Sequence, residues 1–597
     1  MPRMPPMTAH EPSPTGGRAV VETLAAAGLR HAFTVPGESF LGVLDALHDA
    51  PIRTIATRHE GGAGFMAEAY GQLTGRPALA MATRAVGAAN LAIALHTARQ
   101  DSTPLVALIG QVPRAVRGRE AFQEVDQVAT FGALCKAAVE IDDPDRLATE
   151  TARMVELARS GRPGPVLISL PEDVLEAEVS GPLVVEAHEP EHPAPSPSEV
   201  DAVLAALATA KAPVIVAGAG LRRAMNADGL GAPERHGPRG PEDASQIVAD
   251  ALAAFAETTE TPVMTAWRRP DVIANDHRLY LGMTGYGAPR LVRERLVAAD
   301  LIVAIGTRLS EPSSFSYAIP TAGQRVIHVD LEPGFAGRPA PWLAIRADAA
   351  RFLAMAIERA RAPDRTADRS ADRAADLGAD RRAANDTDRT AYLAAIAIPG
   401  DGFRATLLLP PTRGVDPAAV MRALRARLPD GAILTTDAGN FGGWAARHLP
   451  IPRHGRFLGP TSGAMGYALP AAIGAAIASP ERPVVALAGD GGFAMLMAEL
   501  ETAVREGTRL TALVFDNAMY GTIRMHQEEA HPGRTVATDL GRIDFAAVAE
   551  ACGARAWRVD RDADVDSALA EALDADGVGL IHLHTDPRAL SVDRVLP

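Results

Sequence analysis

Short apolar runs, each closed by Gly or Pro, alternate with longer amphipathic stretches along nearly the whole chain. Residues 77–82, 105–109 and 166–170 read as buried strands, and 88–99 and 145–158 carry helical periodicity between them. Strands joined only through helices pair in parallel, and their sheets need a helical cover on both faces. This confines the chain to the α/β class, with doubly wound parallel sheets. The pattern restarts twice. A Pro/Glu/Ser-rich stretch, 183–198, precedes a second block with strands at 213–216, 301–305 and 325–329. A tract of Arg, Asp and Ala, 360–396, precedes a third with strands at 432–435, 484–488, 510–515 and 580–584. A length of 597 residues suits three or four domains. The pattern argues for three, at 15–182, 199–359 and 410–590. A Pro-rich tail, 1–14, is expected to be disordered. The stretch 224–245 reads as a surface excursion. The Arg/Asp/Ala tract has too little apolar surface to fold alone and reads as a tether.

Composition removes several function classes. The formal net charge is −14, with 59 basic against 73 acidic residues, which disfavours a general nucleic-acid binder. Lys136 and Lys211 are the only lysines, and Cys135 and Cys552 stand far apart with no zinc spacing. The N-terminus lacks the apolar core of a signal peptide, and the most apolar stretch, 468–478, is too short to span a bilayer. A soluble cytoplasmic protein is expected, acting on a small molecule, with no membrane and no nucleic-acid partner.

Three motifs carry chemistry. A strand runs into Gly489-Asp490-Gly491-Gly492, and a second runs into Asp516-Asn517. Open α/β sheets bind ligands at the carboxyl ends of their strands. Asp490 and Asn517 would there offer a carboxylate and an amide oxygen, hard donors suited to Mg²⁺, while the glycines let a diphosphate approach the backbone. Gly-Asp-Gly is also a common turn. The second motif, Thr57-Arg58-His59-Glu60-Gly61-Gly62-Ala63-Gly64, sets a carboxylate at a Gly-rich helix start, which the helix dipole alone would favour. The third, Ser462-Gly463-Ala464-Met465-Gly466-Tyr467-Ala468, opens a small-residue helix.

Together these resemble the thiamine diphosphate-dependent enzymes, and in particular the acetohydroxyacid (acetolactate) synthase large subunits. The resemblance implies three domains, binding pyrimidine, an optional flavin and diphosphate in turn. It implies Mg²⁺ held by Asp490, Asn517 and the carbonyl of Met519, with Gly489 and Gly491 beside the phosphates. Glu60 would hydrogen-bond the aminopyrimidine and favour the tautomer that makes the cofactor's reactive ylide. Gly463 would accept from the 4′-amino group, and Met465 would wedge the cofactor into its bent form. Asp437-Ala438-Gly439-Asn440 is placed like the family's diphosphate turn, with Gly439 and Asn440 the contacts. Ala121-Phe122-Gln123-Glu124, preceded by Gly110-Gln111-Val112-Pro113-Arg114, matches a segment whose Phe and Gln line the active site. Lys136 matches a Lys at the substrate entrance, and residues 33–37 resemble the loop covering the reacting carbon.

The departures gather in the substrate pocket. Asp516 stands where the motif usually has Asn. Arg84-Ala85-Val86-Gly87 replaces a Ser-Gly-Pro-Gly loop, so Arg84 either clamps an acidic substrate group or folds away onto a surface carboxylate. Glu38 replaces a Gly close to the chemistry, Thr522 replaces a Met, and His526 replaces an acceptor-selecting Trp. His526 either moves protons or bounds a differently shaped pocket. In the middle block, Gly218-Ala219-Gly220, Gly306-Thr307-Arg308 and His328-Val329-Asp330 give a weak sign of FAD. The expected activity is decarboxylation of a 2-oxo acid, pyruvate for instance, with ligation to a second carbonyl, by a transferase or lyase with Glu60, Gln123 and His526 at the reacting groups. A homodimer or tetramer with shared sites is implied. The alternatives are a simple 2-oxo acid decarboxylase, a carboligase or acyltransferase with another acceptor, and a non-catalytic scaffold keeping the fold.

Overall fold

The computed structural model describes residues 14–222, 241–361, 392, 413–452 and 454–596. Nearly all of the N-terminal tail, residues 224–240 of the excursion and almost all of the 360–396 tract lie outside the described residues. The chain gathers into two compact units, Met1–Gly71 with Arg76–Pro190, and Gln72–Gly75 with Glu191–Pro597.

The first unit is built on one parallel sheet: β1 (His31–Thr34), β2 (Arg53–Ala56), β3 (Ala78–Thr83), β4 (Leu105–Gln111), β5 (Ala137–Glu140) and β6 (Pro165–Pro171), in the order 2-1-3-4-6-5. Burial follows position. Every residue of the central strands β4 and β6 is buried, whereas edge strand β2 buries only Ile55. The resulting core includes Leu24, Phe40, Leu79, Val106 and Ile168. Two local expectations are corrected. Phe33 and Thr34 belong to β1 and are buried in it, so the connecting loop starts at Val35. Arg84 is the first residue of the helix Arg84–Asp101 and not part of a loop, and it enters that helix at φ +42°.

The second unit carries two sheets. β7 (Pro213–Ala217), β8 (Val263–Thr265), β9 (Tyr280–Met283), β10 (Leu301–Ile305), β11 (Arg325–Asp330) and β12 (Leu343–Arg346) lie in the order 12-11-10-7-8-9. The helix before β7 starts sharply. Ser196 caps it reciprocally with Glu199, and Pro197 takes the first turn, where its missing N–H costs nothing. The helix Pro241–Thr258 begins inside the stretch read as an excursion. The last sheet comprises β13 (Ile433–Thr436), β14 (Arg456–Leu458), β15 (Val484–Gly489), β16 (Leu510–Asp516), β17 (Arg555–Val559) and β18 (Val578–His584), ordered 14-13-15-16-18-17. Counted from its own first strand this is 2-1-3-4-6-5, the winding of the first sheet. All strand pairs in the three sheets are parallel. In both outer sheets the order reverses between the first and third strands, where an open sheet leaves a crevice at its carboxyl edge.

Candidate active site

In the last sheet that crevice lies between the turns after β13 and β15. It is a cavity of about 250 Å³ whose lining includes Gly439, Asn440, Gly463, Met465, Asp490, Asn517, Met519 and Thr522, and also Gly489 and Gly491. Asn517 accepts the Met519 amide at 3.2 Å through Oδ1, closing a local turn. The Met519 carbonyl accepts from Gly521 N and keeps a second lone pair. The donor set is thus one carboxylate, one amide oxygen and one peptide oxygen. It is all-oxygen, with room beside it for phosphate and water, which fits Mg²⁺. The glycines of the turn are required by contact. A Cβ on Gly491 would stand 2.6 Å from the Tyr520 ring, and one on Gly492 would stand 2.4 Å from Asp437 Oδ2. Thr522 Oγ1 accepts the Asn440 amide at 3.2 Å, tying the diphosphate turn to the helix Gly521–Ala530.

The electrostatics belong to buried carboxylates. Burial first, and then the neighbouring Asp516 charge, push the Asp490 carboxyl up to about 7. Burial opposes ionisation of Asp516 too, but hydrogen bonds from His582 and the Ala518 amide carry it below the usual carboxylate range. Asp437, one residue past β13, is pushed up to about 7 by burial while accepting Ala468 N at 2.6 Å.

The first unit holds a separate set. Glu60 opens the helix Glu60–Thr74, is 8% exposed, and its Oε2 accepts Asn90 Nδ2 at 2.9 Å. A Cβ at Gly87 would stand 3.1 Å from Glu60 Oε1, so this glycine keeps the carboxylate's other face clear. Arg84, on the same helix as Gly87 and Asn90, reaches Glu172 at 3.2 Å and Glu38 at 3.4 Å, with Phe122 stacked at 5.9 Å from its guanidinium. Gln123 takes φ +62°, and its carbonyl accepts Ala85 N at 3.2 Å.

Other expected residues lie differently. Lys136 Nζ is bound to the Ser160 carbonyl at the edge strand β5. The His526 side chain is 62% exposed, 3.5 Å from Glu529, and does not line the cavity. In the middle sheet the amides of Gly218 and Gly220 already donate to the carbonyls of Ile305 and Gly306 at 3.0 and 2.9 Å. A Cβ on Gly220 would stand 2.6 Å from Gly306 Cα. These two loops close on each other and do not fit as a flavin pyrophosphate cradle.

Sequence reasoning missed Asn90, Glu172, Tyr520 and His582. Asn90 had a signal, since it stands three residues after Gly87 on one helical face. The others come together only through strand pairing and helix packing.

Comparison with known proteins identifies the domains. Family models described as the C-terminal TPP binding, N-terminal TPP binding and central domains of thiamine pyrophosphate enzymes match residues 437–583, 14–130 and 241–355. Acetolactate synthase isozyme 1 large subunit of Escherichia coli K12 is 30% identical over 96% of this chain and 94% of its own length. The catabolic acetolactate synthase of Raoultella terrigena is 30% identical over 96% and 95%. A sulfoacetaldehyde acetyltransferase of Rhodobacter capsulatus is 30% identical over 94% and 92%. With three family domains in order and relatives 30% identical over nearly the whole chain, the chain belongs to the thiamine pyrophosphate enzymes.

Proposed function

We propose that the protein uses thiamine diphosphate and Mg²⁺ to decarboxylate a 2-oxo acid, pyruvate in the first instance, and to join the remaining fragment to a second carbonyl, as an acetolactate synthase does. The observation that carries this reading is the convergence of Asp490, Asn517 and Met519 with Gly439, Asn440, Gly463 and Met465 on one cavity. Asp490, Asn517 and the Met519 carbonyl would hold Mg²⁺. Gly439 and Asn440 would present backbone to the diphosphate, and Gly463 and Met465 would seat the rings. When bound, the cofactor supplies the nucleophilic carbon and the electron sink. Glu60, fixed at Oε2 by Asn90, offers Oε1 to share a proton with the aminopyrimidine. Gln123 would orient substrate and move protons at its oxygen; His526, exposed and outside the cavity lining, is left out of this role. Glu60 and the cation ligands sit on different units of the chain, which suits a homodimer or tetramer whose sites are completed by a second copy. The working compartment would be the cytoplasm.

A second reading, acyl transfer to an acceptor other than a 2-oxo acid, is favoured by Arg84. Its guanidinium is engaged by both Glu38 and Glu172, so it is not free to clamp a second 2-oxo carboxylate. One experiment separates these readings. Purified protein saturated with thiamine diphosphate, Mg²⁺ and FAD is given pyruvate alone, and pyruvate loss and acetolactate are followed together. Sustained acetolactate formation supports the synthase. Acetaldehyde points to a decarboxylase. No sustained consumption, with thiamine diphosphate shown to bind, excludes the synthase and calls for another donor or for an acceptor other than pyruvate.

A further inference from the structure

β18 ends in His582-Leu583-His584, so its two histidines share one face of the strand. Its neighbour β16 sets Asp516 opposite His584 in register. His582 Nε2 lies 3.0 Å from Asp516 Oδ2, and His584 Nε2 lies 3.8 Å from the same oxygen. One ligand atom from each residue falls within 4.8 Å of the other two. We propose that Asp516, His582 and His584 form a second divalent-cation site, chemically distinct from the all-oxygen set of Asp490, Asn517 and Met519, and suited to an ion of the zinc class.

The donors decide the class. Two imidazoles and one carboxylate are the borderline set that zinc-like ions select over Mg²⁺, and three protein ligands leave one position for water. Tetrahedral bonds of about 2.0–2.1 Å put neighbouring donors roughly 3.3 Å apart, and the two observed spacings bracket that value. The surrounding shell has the matching form. His584 Nδ1 is bonded to the Asp560 carboxylate, which puts the ring proton on Nδ1 and leaves the Nε2 lone pair facing Asp516. Asp516 is oriented by the Ala518 amide, which donates to Oδ1 at 2.8 Å and leaves Oδ2 for the histidines.

His582 supplies an independent sign. It is 1% exposed, and its Nδ1 has no hydrogen-bond partner among the described residues, with Asp544 Oδ1 3.9 Å away. If Nε2 carries the proton to Asp516, Nδ1 is a buried lone pair with no donor. With Nε2 on a cation the proton moves to Nδ1 and faces the Asp544 carboxylate, so the orphaned atom gains a role. Of the three ligands, Asp516 also lines a cavity of about 360 Å³, which it shares with Asp490, Tyr520 and Arg542. Asp516 stands where the cofactor motif usually has Asn, whose neutral amide would be a far poorer ligand.

The test uses the full-length protein, stripped of metal and reloaded with thiamine diphosphate and excess Mg²⁺, with Co²⁺ as the spectroscopic probe. One equivalent of Co²⁺ is expected to give visible ligand-field bands of tetrahedral intensity, displaced by Zn²⁺ and not by further Mg²⁺. His584→Gln, at a partly exposed position, should abolish the bands. Asp560→Asn should weaken Co²⁺ affinity about tenfold to a hundredfold by loosening the His584 ring. Asn517→Ala, which removes a ligand of the other set that makes no side-chain contact with Asp516, should leave the bands in place and so separates this site from the cofactor cation. Circular dichroism checks that each variant is folded. Absence of the bands in the wild-type protein overturns the proposal and leaves Asp516–His582 as a hydrogen-bonded pair. Bands undiminished in both His584→Gln and Asp560→Asn overturn it equally.

Discussion

Under the proposed function, the chemistry at the residue scale turns on the carboxylate of Glu60 and the Asn90 amide that holds it. Glu60→Gln keeps the shape and removes the proton acceptor, so turnover should fall a hundredfold or more, to about the loss of a general base, while thiamine diphosphate still binds. Asn90→Ala removes a hydrogen bond to an ionisable group and should cost roughly tenfold in kcat, with a smaller change in KM. Asp490 makes a prediction about pH. Its carboxyl, raised to about 7, must give up a proton when a cation binds. Below that pH protons compete with the metal, and above it they do not. The Mg²⁺ concentration for half-maximal thiamine diphosphate binding should therefore fall about tenfold from pH 6 to pH 8. A flat Mg²⁺ requirement over that range would show that Asp490 is already ionised at pH 6 or is not the ligand.

The short helical turn Pro270–Val272 shows what an element adds that no pattern announces. Its Asp271 takes Arg222, from the turn after β7, and Arg456, from the start of β14, at Oδ2 3.3 Å away, along with the Phe457 amide at 3.2 Å. Burial opposes the Asp271 charge, but the two guanidinium groups hold its carboxyl below the usual range. Asp271→Asn would strand two buried cations and should cost about 3–5 kcal/mol in denaturant unfolding. Because the native pKa is depressed, this contribution is present above the unfolded value near pH 4 and is lost as pH falls through the native one. The variant should therefore lose less stability on acidification than the wild type. Such a clip is invisible in sequence, where Asp271 follows an ordinary Arg-Arg-Pro turn. The strands were legible because buried parallel strands are written as unbroken apolar runs, and β10 spans 301–305 as read. Asp490 and Asn517 were legible because a strand running into Gly-Asp-Gly declares its own carboxyl end. Arg84 was not, since whether a guanidinium reaches for ligand or for Glu38 and Glu172 depends on residues distant in the chain. Nor was His526, whose exposure is set by how the helix Gly521–Ala530 lies over the cavity.

At the scale of the whole molecule, the acid and the cation ligands can be separated genetically. If each site is completed by a second copy, Glu60→Gln and Asp490→Asn chains mixed by co-expression should regain activity that neither has alone. Random pairing into symmetric dimers would give roughly a quarter of the wild-type rate. No recovery in mixed oligomers would place both groups of a site on one chain. The first and last sheets are wound in the same strand order, yet their crevices hold different things: Glu38 with Arg84 in one, Gly439 with Asp490 in the other. One winding thus frames two crevices of different chemistry. A variant that changes the first crevice alone, at Glu38 or Arg84, therefore leaves the cation ligands of the last sheet untouched.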